Sequence, residues 1–221
     1  MNFILFDAAL ELVPHEISSH PAILADSSRW DRPPEQLVLD RAVHHFSMLD
    51  LDDSERRGRP DISHMTLLMV TDSPAYRKGK VRIYVHTVRD TVLKFHGVVR
   101  LPPNYHNFVN LMSQLLTSGR VPLFREPLIK TYRSSLGDLL KTIGGYSLLM
   151  TSRGRRADIT EALQGVTDDV NVLVGGYPRG APREDLVELC NDKVSICDQV
   201  LASWTVASRI LYDLERGFLK L

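Results

Sequence analysis

Apolar residues recur along the chain in two rhythms, and each predicts a different kind of element. Val81-Arg82-Ile83-Tyr84-Val85-His86 and Leu93-Lys94-Phe95-His96 alternate with period two, and Arg89-Asp90-Thr91 makes a tight connection between them. That pattern predicts a half-exposed β-hairpin whose polar face carries Arg82, Tyr84, His86, Lys94 and His96. Short unbroken apolar runs at 3–6, 146–150 and 170–174 predict strands buried on both faces. Helical spacing takes over elsewhere. Phe108, Leu111, Met112 and Leu115 share one face of a helix from about Tyr105 to Thr117, ended near Gly119. Ile62, Met65 and Met69 share a face of a helix opened by Pro60-Asp61 and stopped at Asp72-Ser73-Pro74. Ser134 or Ser135 caps a short helix from Leu136 to Ile143, which Gly144-Gly145 terminates. The chain closes on Val200, Trp204, Ala207, Leu211, Leu214 and Phe218, spaced four, three, four, three, four, the apolar side of a long amphipathic helix.

Between these elements the pattern weakens. Prolines at 14, 21, 33 and 34 are too many for one regular element, although Pro34-Glu35 opens a helix reaching Phe46. Residues 120–135 read as a linker or extended surface loop, with Pro122, Pro127 and a cluster of basic side chains. Strands alternating with helices place the chain in the α/β class. Its length fits one domain over 1–221, with 14–55 as an irregular, insertion-like region.

Composition narrows the setting. No apolar run approaches the ~20 residues needed to span a bilayer, so no membrane role is expected. Asp7 and Glu11 directly after Phe3-Ile4-Leu5-Phe6 make the start a first strand rather than a signal peptide. Cys190 and Cys197 are too few for a disulfide scaffold and lack partners for a metal site, which fits a reducing, cytoplasmic location. The net charge of zero hides a segregation. Residues 1–55 hold 3 basic and 11 acidic side chains, residues 56–156 hold 18 and 5, and residues 157–221 hold 6 and 11. A central segment at +13 suits a polyanion if its arginines converge. Packing that scatters them over both faces of a sheet is the plain alternative.

Candidate chemistry lies in two places. The runs ending in Thr151-Ser152-Arg153-Gly154 and in Gly175-Gly176-Tyr177-Pro178-Arg179-Gly180 put glycine-bearing loops at strand ends, where parallel α/β sheets bind ligands. Neither loop is a dinucleotide or nucleoside-triphosphate motif. Arg56, Arg57, Arg59 and Asp61 form the densest polar cluster, and arginine forks suit phosphate. Asp61 either works on a substrate or simply caps the helix that follows it. Arg100, ending Gly97-Val98-Val99-Arg100, either faces the same groove or forms a salt bridge. Tyr84, Tyr105 and Tyr132 offer stacking surfaces for bases and are equally ordinary rim residues. The eight histidines assemble into no metal-ligand spacing.

Several ordered segments together resemble one family. Arg59-Pro60-Asp61-Ile62-Ser63-His64, Leu67-Leu68-Met69, Thr71-Asp72-Ser73-Pro74, Val81 to Thr87, Arg100-Leu101-Pro102 and Leu111 to Leu116 are similar to the small-subunit ribosomal RNA pseudouridine N1-methyltransferases. So are Val172-Leu173-Val174-Gly175-Gly176 and Lys193-Val194-Ser195-Ile196. The likeness spans nearly the whole chain, is most specific over 59–116 and weakest over 14–55. It implies a SPOUT-class α/β fold, a parallel sheet whose C-terminal segment threads a trefoil knot, with a family-specific β-hairpin and helix embellishment. It implies S-adenosylmethionine as cofactor, S-adenosylhomocysteine as product, no metal, and a homodimer using the last helix. The implied cofactor site is Thr151, Ser152, Gly154, Gly175, Gly176, Ser195, Ile196, Cys197, Leu201 and Ala202. The implied catalytic residue is Asp61, with RNA contacts at Arg59 and Arg100, joined by Arg56 and Arg57 from the basic cluster. The family pattern has further basic residues where this chain has Pro103 and Asn107, a loss that Arg56, Arg57, Arg120 or Arg125 offsets. The absence of a long basic tail points to a compact archaeal-type member.

The resulting expectation is methyl transfer to ring N1 of a pseudouridine in small-subunit ribosomal RNA, in support of small-subunit assembly and in company with ribosomal assembly proteins. Three readings compete with it. One is an RNA-binding ribosome-assembly factor whose methylation is dispensable or absent. Another is a knotted methyltransferase acting on tRNA. The third is a structural α/β domain with an unremarkable charge distribution, binding neither RNA nor cofactor.

Overall fold

The computed structural model describes residues 1–218, and it places every apolar run in one sheet. In chain order the elements are β1 (Asn2–Ala8), α1 (Pro21–Trp30), α2 (Arg41–His44), α3 (Pro60–Asp72), α4 (Pro74–Arg77), β2 (Arg82–Thr87), β3 (Thr91–Phe95) and α5 (Tyr105–Ser118). There follow β4 (Arg120–Val121), β5 (Ile129–Arg133), α6 (Leu136–Ile143), β6 (Tyr146–Arg156), α7 (Ile159–Ala162), β7 (Val170–Gly175), α8 (Glu184–Val187), β8 (Asp192–Ser195) and α9 (Ser203–Asp213). The strand order is β4-β5-β3-β2-β1-β7-β6-β8. From β2 to β8 neighbours run parallel, while β3, β5 and β4 add antiparallel strands at one side. The sheet is therefore mixed rather than purely parallel. Among the described residues no helix is long and apolar enough to cross a membrane.

Alternation along β1 explains the layers. Phe3 and Leu5 join the larger core with residues of α3, α5, α7 and α9, whereas Ile4 and Phe6 join Leu136, Leu139, Leu140 and Leu186 under α6 and α8. A strand with both faces covered needs apolar residues on both, hence its unbroken run. A third small cluster, Val13, Ile17, Ile23, Leu37, Leu39 and Met48, lies within the stretch that looked irregular. Pro21 stands at the start of α1, where its missing N–H costs nothing, so a ten-residue helix forms there despite the prolines. The helix expected from Pro34 to Phe46 does not form as one piece. Leu37–Leu39 instead run extended and pair with the chain after β1, through Val13 N–H to Leu37 O and Leu39 N–H to Glu11 O.

Three further expectations change for one reason, burial by neighbours far away in sequence. The hairpin of β2 and β3 exists, but β2 is central and pairs with β1, so Tyr84 and His86 are buried instead of facing water. Residues 120–135 hold β4 and β5, short strands that complete the antiparallel side. On α3, Leu67 and Val70 are buried beside Ile62, while Met65 and Met69 are exposed. α5, α6 and the Ser135 cap match the sequence pattern, and the Ser135 hydroxyl accepts from Asp138 N–H. α9 buries Ala207, Ile210 and Leu211, and Leu214 follows in a wider final turn. Val200 precedes α9 and is exposed, and the side chain of Phe218 lies outside the described residues.

The C-terminal third makes the crossing that matters for function. β6 leaves the ladder after Met150 and returns at Arg155, so that Val194 of β8 is register partner to both. The chain leaving β8 then crosses to the end of β7, where the Ser203 hydroxyl donates to Gly175 O at 2.5 Å. α9 continues from there onto α3. This is the route that the resemblance to knotted methyltransferases leads one to expect.

Candidate functional site

The excursion of β6, the end of β7 and the crossing segment enclose a cavity of about 690 Å³. Thr151, Ser152, Gly175, Ser195, Ile196, Cys197, Leu201 and Ala202 all line it, joined by Arg153, Tyr177 to Pro182, Trp204 and Val206. Arg59 and Ile62 reach it from the start of α3. Gly154 and Gly176 do not line it. A Cβ on Gly154 would lie 2.5 Å from the Val194 nitrogen, and one on Gly176 would lie 2.8 Å from the Ala8 Cα. Both glycines permit close backbone packing behind the cavity wall. Gly176 also ties β7 to β1, donating to Phe6 O at 2.7 Å and accepting from Ala9 N–H at 2.9 Å.

The wall is shaped by hydrogen bonds within the crossing. The Ser195 hydroxyl donates to Cys197 O at 2.7 Å. The Cys197 thiol is drawn below its ordinary value, first by a hydrogen bond from the Gln199 backbone. The outer wall, Tyr177 to Pro182, is braced from below. Arg56 donates to Arg179 O at 3.2 Å and to Ala181 O at 3.0 Å. Its guanidinium lies over the Tyr177 ring, and it pairs with Asp7 at 3.4 Å. Asp7 is buried at φ 47°, with His86 at 3.8 Å and Arg183 at 3.7 Å. Burial raises the Asp7 carboxyl above the ordinary carboxylate value, against the pull of Arg183, His86 and Arg56. Burial likewise pushes the Tyr177 phenol up to about 12.

Arg59 lines the cavity and forms a closed fork with Asp61, which does not itself line it. Arg59 donates through Nε at 2.8 Å and through an outer nitrogen at 2.7 Å to the two carboxylate oxygens. Asp61 is not the cap of α3, because Arg59 occupies that position and Pro60 starts the helix. The Asp61 hydrogen bond is the main reason that Arg59 holds its proton more tightly than usual. The pair is a little over one-third exposed, open to a partner from solvent.

Beside it stands a pair that sequence reasoning did not connect. The Tyr105 hydroxyl donates a hydrogen bond to Asp40. Burial and that carboxylate hold the Tyr105 phenol well above its ordinary value, and the charges of Asp61 and Arg59 also act on it. Nothing in the spacing links Asp40 to Tyr105. The first caps α2 and the second opens α5, and only the fold makes them neighbours of Arg59.

The remaining basic residues divide. Arg57 is a correction to the expected RNA contacts, because its guanidinium is buried and donates at 2.7 and 2.8 Å to both oxygens of Glu11. Arg56 is committed to the cavity wall. Arg82, Arg89, Arg155 and Arg156 pair with Asp169, Glu11, Asp192 and Asp198, so acidic flanks neutralise part of the basic centre. Arg100 is exposed and lines a separate cleft with Leu111, Phe124 and Arg125. Tyr84 is buried, and Tyr132 is partly exposed on β5. Among the described residues no group of three or more His, Cys, Asp or Glu side chains is placed to hold a metal.

The family model for EMG1/NEP1 methyltransferases matches residues 3–215. The chain belongs to that family. It is 46% identical over 180 residues to the ribosomal RNA small subunit methyltransferase Nep1 of Pyrobaculum calidifontis, covering 81% of each chain. It is 40% identical over 222 residues to the protein of the same name from Pyrobaculum arsenaticum, covering 96% of this chain and 100% of that one. Its structure is similar to that of Archaeoglobus fulgidus Nep1 bound to S-adenosylhomocysteine, with a TM-score of 0.88 and 35% identity over 98% of this chain and 97% of the other. The α/β SPOUT-type fold and the methyltransferase class follow from family membership.

Proposed function

We propose that this methyltransferase transfers a methyl group from S-adenosylmethionine to ring N1 of a pseudouridine in small-subunit ribosomal RNA. The observation that carries the reading is that Arg59, which lines the cavity between the β6 excursion and the crossing segment, holds Asp61 in a two-bond fork beside it. The cavity suits the cofactor. Apolar Ile62, Val174, Val194 and Val206 offer a surface for adenine, and the backbone around Gly175 and Ser195 to Ala202 supplies polar groups for the amino-acid end. The relative from Archaeoglobus fulgidus carries S-adenosylhomocysteine. When bound, the cofactor supplies an electrophilic methyl group on a positively charged sulfur.

The chain's own residues do the rest. Pseudouridine N1 carries a proton and is a weak nucleophile until that proton leaves. Asp61 accepts the proton, directly or through a water, and Arg59 holds the carboxylate in place. As the proton leaves, negative charge develops on the base, which the Arg59 guanidinium favours. The target nucleotide leaves its stack to reach the mouth. Arg100, exposed in the loop between β3 and α5, holds phosphate.

Two copies form a homodimer through α9 and the exposed residues around it, in the cytoplasm, and assembly proteins of the small subunit share the substrate. The chain works as one α/β-knot domain over 1–221, to which the part over 14–55 adds a local layer. The deciding experiment compares two otherwise identical small-subunit rRNA hairpins, one with pseudouridine and one with uridine, and identifies the product base by mass. Transfer only to pseudouridine at N1 supports the reading. Tight binding of both with no transfer favours an assembly factor, comparable turnover on uridine or a tRNA favours another knotted methyltransferase, and binding of neither removes RNA from the picture.

A further inference from the structure

The antiparallel side of the sheet carries a side chain that the core does not use. Phe124, between β4 and β5, is 96% exposed. A single exposed apolar residue is ordinary, but this one lines an apolar cleft of about 470 Å³ together with Leu111, Leu128, Arg100 and Arg125. No aspartate or glutamate lines the cleft, and no ion pair forms at Arg100, Arg120 or Arg125 among the described residues. An apolar peptide or protein surface laid over the cleft would leave Arg100 and Arg125 unpaired, which is costly when water is excluded. A nucleotide matches both features. Its base offers a flat π-face to an aromatic ring, and its phosphates carry the charge that the arginines lack.

We propose that this cleft holds an unpaired nucleotide of the RNA substrate, distinct from the one that is methylated, with its base stacked on Phe124 and its neighbouring phosphates on Arg100 and Arg125. The inference rests on the reading of the chain as an RNA methyltransferase. It places a second anchor on the RNA away from the reaction, since neither Phe124 nor Arg125 lines the cofactor cavity. Such an anchor fixes the register of a hairpin, so that one particular base reaches the mouth.

The test measures binding of a pseudouridine-bearing rRNA hairpin with unpaired flanking nucleotides to the full chain, over a range of salt concentrations, for Phe124→Ala, Phe124→Trp and Arg125→Gln. Phe124→Ala weakens binding about tenfold, or ~1.4 kcal/mol, with the salt slope unchanged. Phe124→Trp keeps the affinity, and Arg125→Gln lowers the slope by about one phosphate contact. All three bind S-adenosylhomocysteine like the parent. Parental RNA affinity in Phe124→Ala overturns the proposal, and if its sedimentation also changes, the cleft is an interface between protein copies. A parent protein that binds cofactor and no hairpin would instead overturn the RNA reading itself, and this proposal with it.

Discussion

The guanidinium carbon of Arg56 stands 3.9 Å from the centre of the Tyr177 ring. With Asp7 beneath and two loop carbonyls above, Arg56 joins the end of β1 to the outer wall of the cavity. A guanidinium over an aromatic face contributes ~1–2 kcal/mol when partly desolvated. Arg56→Ala is therefore expected to weaken S-adenosylhomocysteine binding by about tenfold or more, by calorimetry, while the salt slope of RNA binding stays unchanged. Arg56→Lys recovers the charge but not the planar guanidinium that reaches the carbonyls through one nitrogen and Asp7 through the other, so it recovers only part of the loss. A lower salt slope with intact cofactor binding would return Arg56 to the RNA contacts.

Asp61 accepts two hydrogen bonds from one arginine, and an amide in its place offers only one acceptor oxygen. Asp61→Asn should lower kcat by ~100-fold or more, the usual worth of a positioned base, while RNA affinity changes by about threefold at most. Single-turnover methylation and hairpin binding measured on the same preparation check this. Equal losses in both would leave Asp61 as a positioning group.

Arg57 predicts a stability effect instead of a binding effect. It is buried against Glu11, and Glu11 also accepts from Arg89 at 3.0 Å. Removing one partner of a buried pair costs up to ~3–5 kcal/mol when the other charge is left uncompensated, and half-exposed Arg89 offsets only part of that cost for Glu11. Arg57→Met should lower the urea midpoint accordingly without changing the RNA salt slope. The double variant Arg57→Met with Glu11→Leu should recover much of the loss.

Two buried histidines set an acid limit on stability. His44 faces Asp26 and Asp40, and His86 faces Asp7, Asp90 and Arg183. Burial lowers both below their ordinary value of 6.5 in spite of these carboxylates. Below 6.5 the unfolded chain takes up protons that the folded chain refuses, so stability falls on acidification by up to ~1.4 kcal/mol per pH unit per histidine. Asp7 runs the other way. Its raised carboxyl takes up a proton in the folded chain first, returning stability as the pH falls towards 3.8. Denaturation across this range should show a shallower acid loss for His44→Gln and His86→Gln than for the parent, after correction for their lower starting stability.

What the sequence made legible follows from range. α5 and α6 are encoded by local spacing and caps, and they form where the pattern places them. The buried part of β6 up to Met150 and the end of β7 at Gly175 were visible because buried parallel strands write long apolar runs, whereas the continuation of β6 to Arg156 was not. Tyr84 and His86 were misplaced because alternation marks two faces and does not say which neighbour covers the second. Arg57 read as a surface cation because its partner Glu11 lies 46 positions earlier in the chain. The Tyr105–Asp40 pair, 65 positions apart, left no local signal at all. The arginines that looked like one basic field were sorted by the fold into braces, surface pairs and open cations, which composition alone does not distinguish.

Gly154 offers a final test of where ligand contact ends and scaffold begins. The resemblance placed it among the cofactor residues, yet it lies behind the wall, where an added Cβ would come within 2.6 Å of the Lys193 carbonyl carbon. The neighbours are backbone atoms of Lys193 and Val194 in β8, so they cannot swing aside as a flexible side chain would. Gly154→Ala should push the β6 excursion away from β8 and open the cavity that Thr151 and Ser152 line. An overpacked site of this kind costs ~1–3 kcal/mol. A fall in thermal stability without ligand is expected, together with cofactor affinity reduced about tenfold. A direct ligand contact would instead reduce affinity and leave the stability of the free protein unchanged, so the two measurements separate the roles.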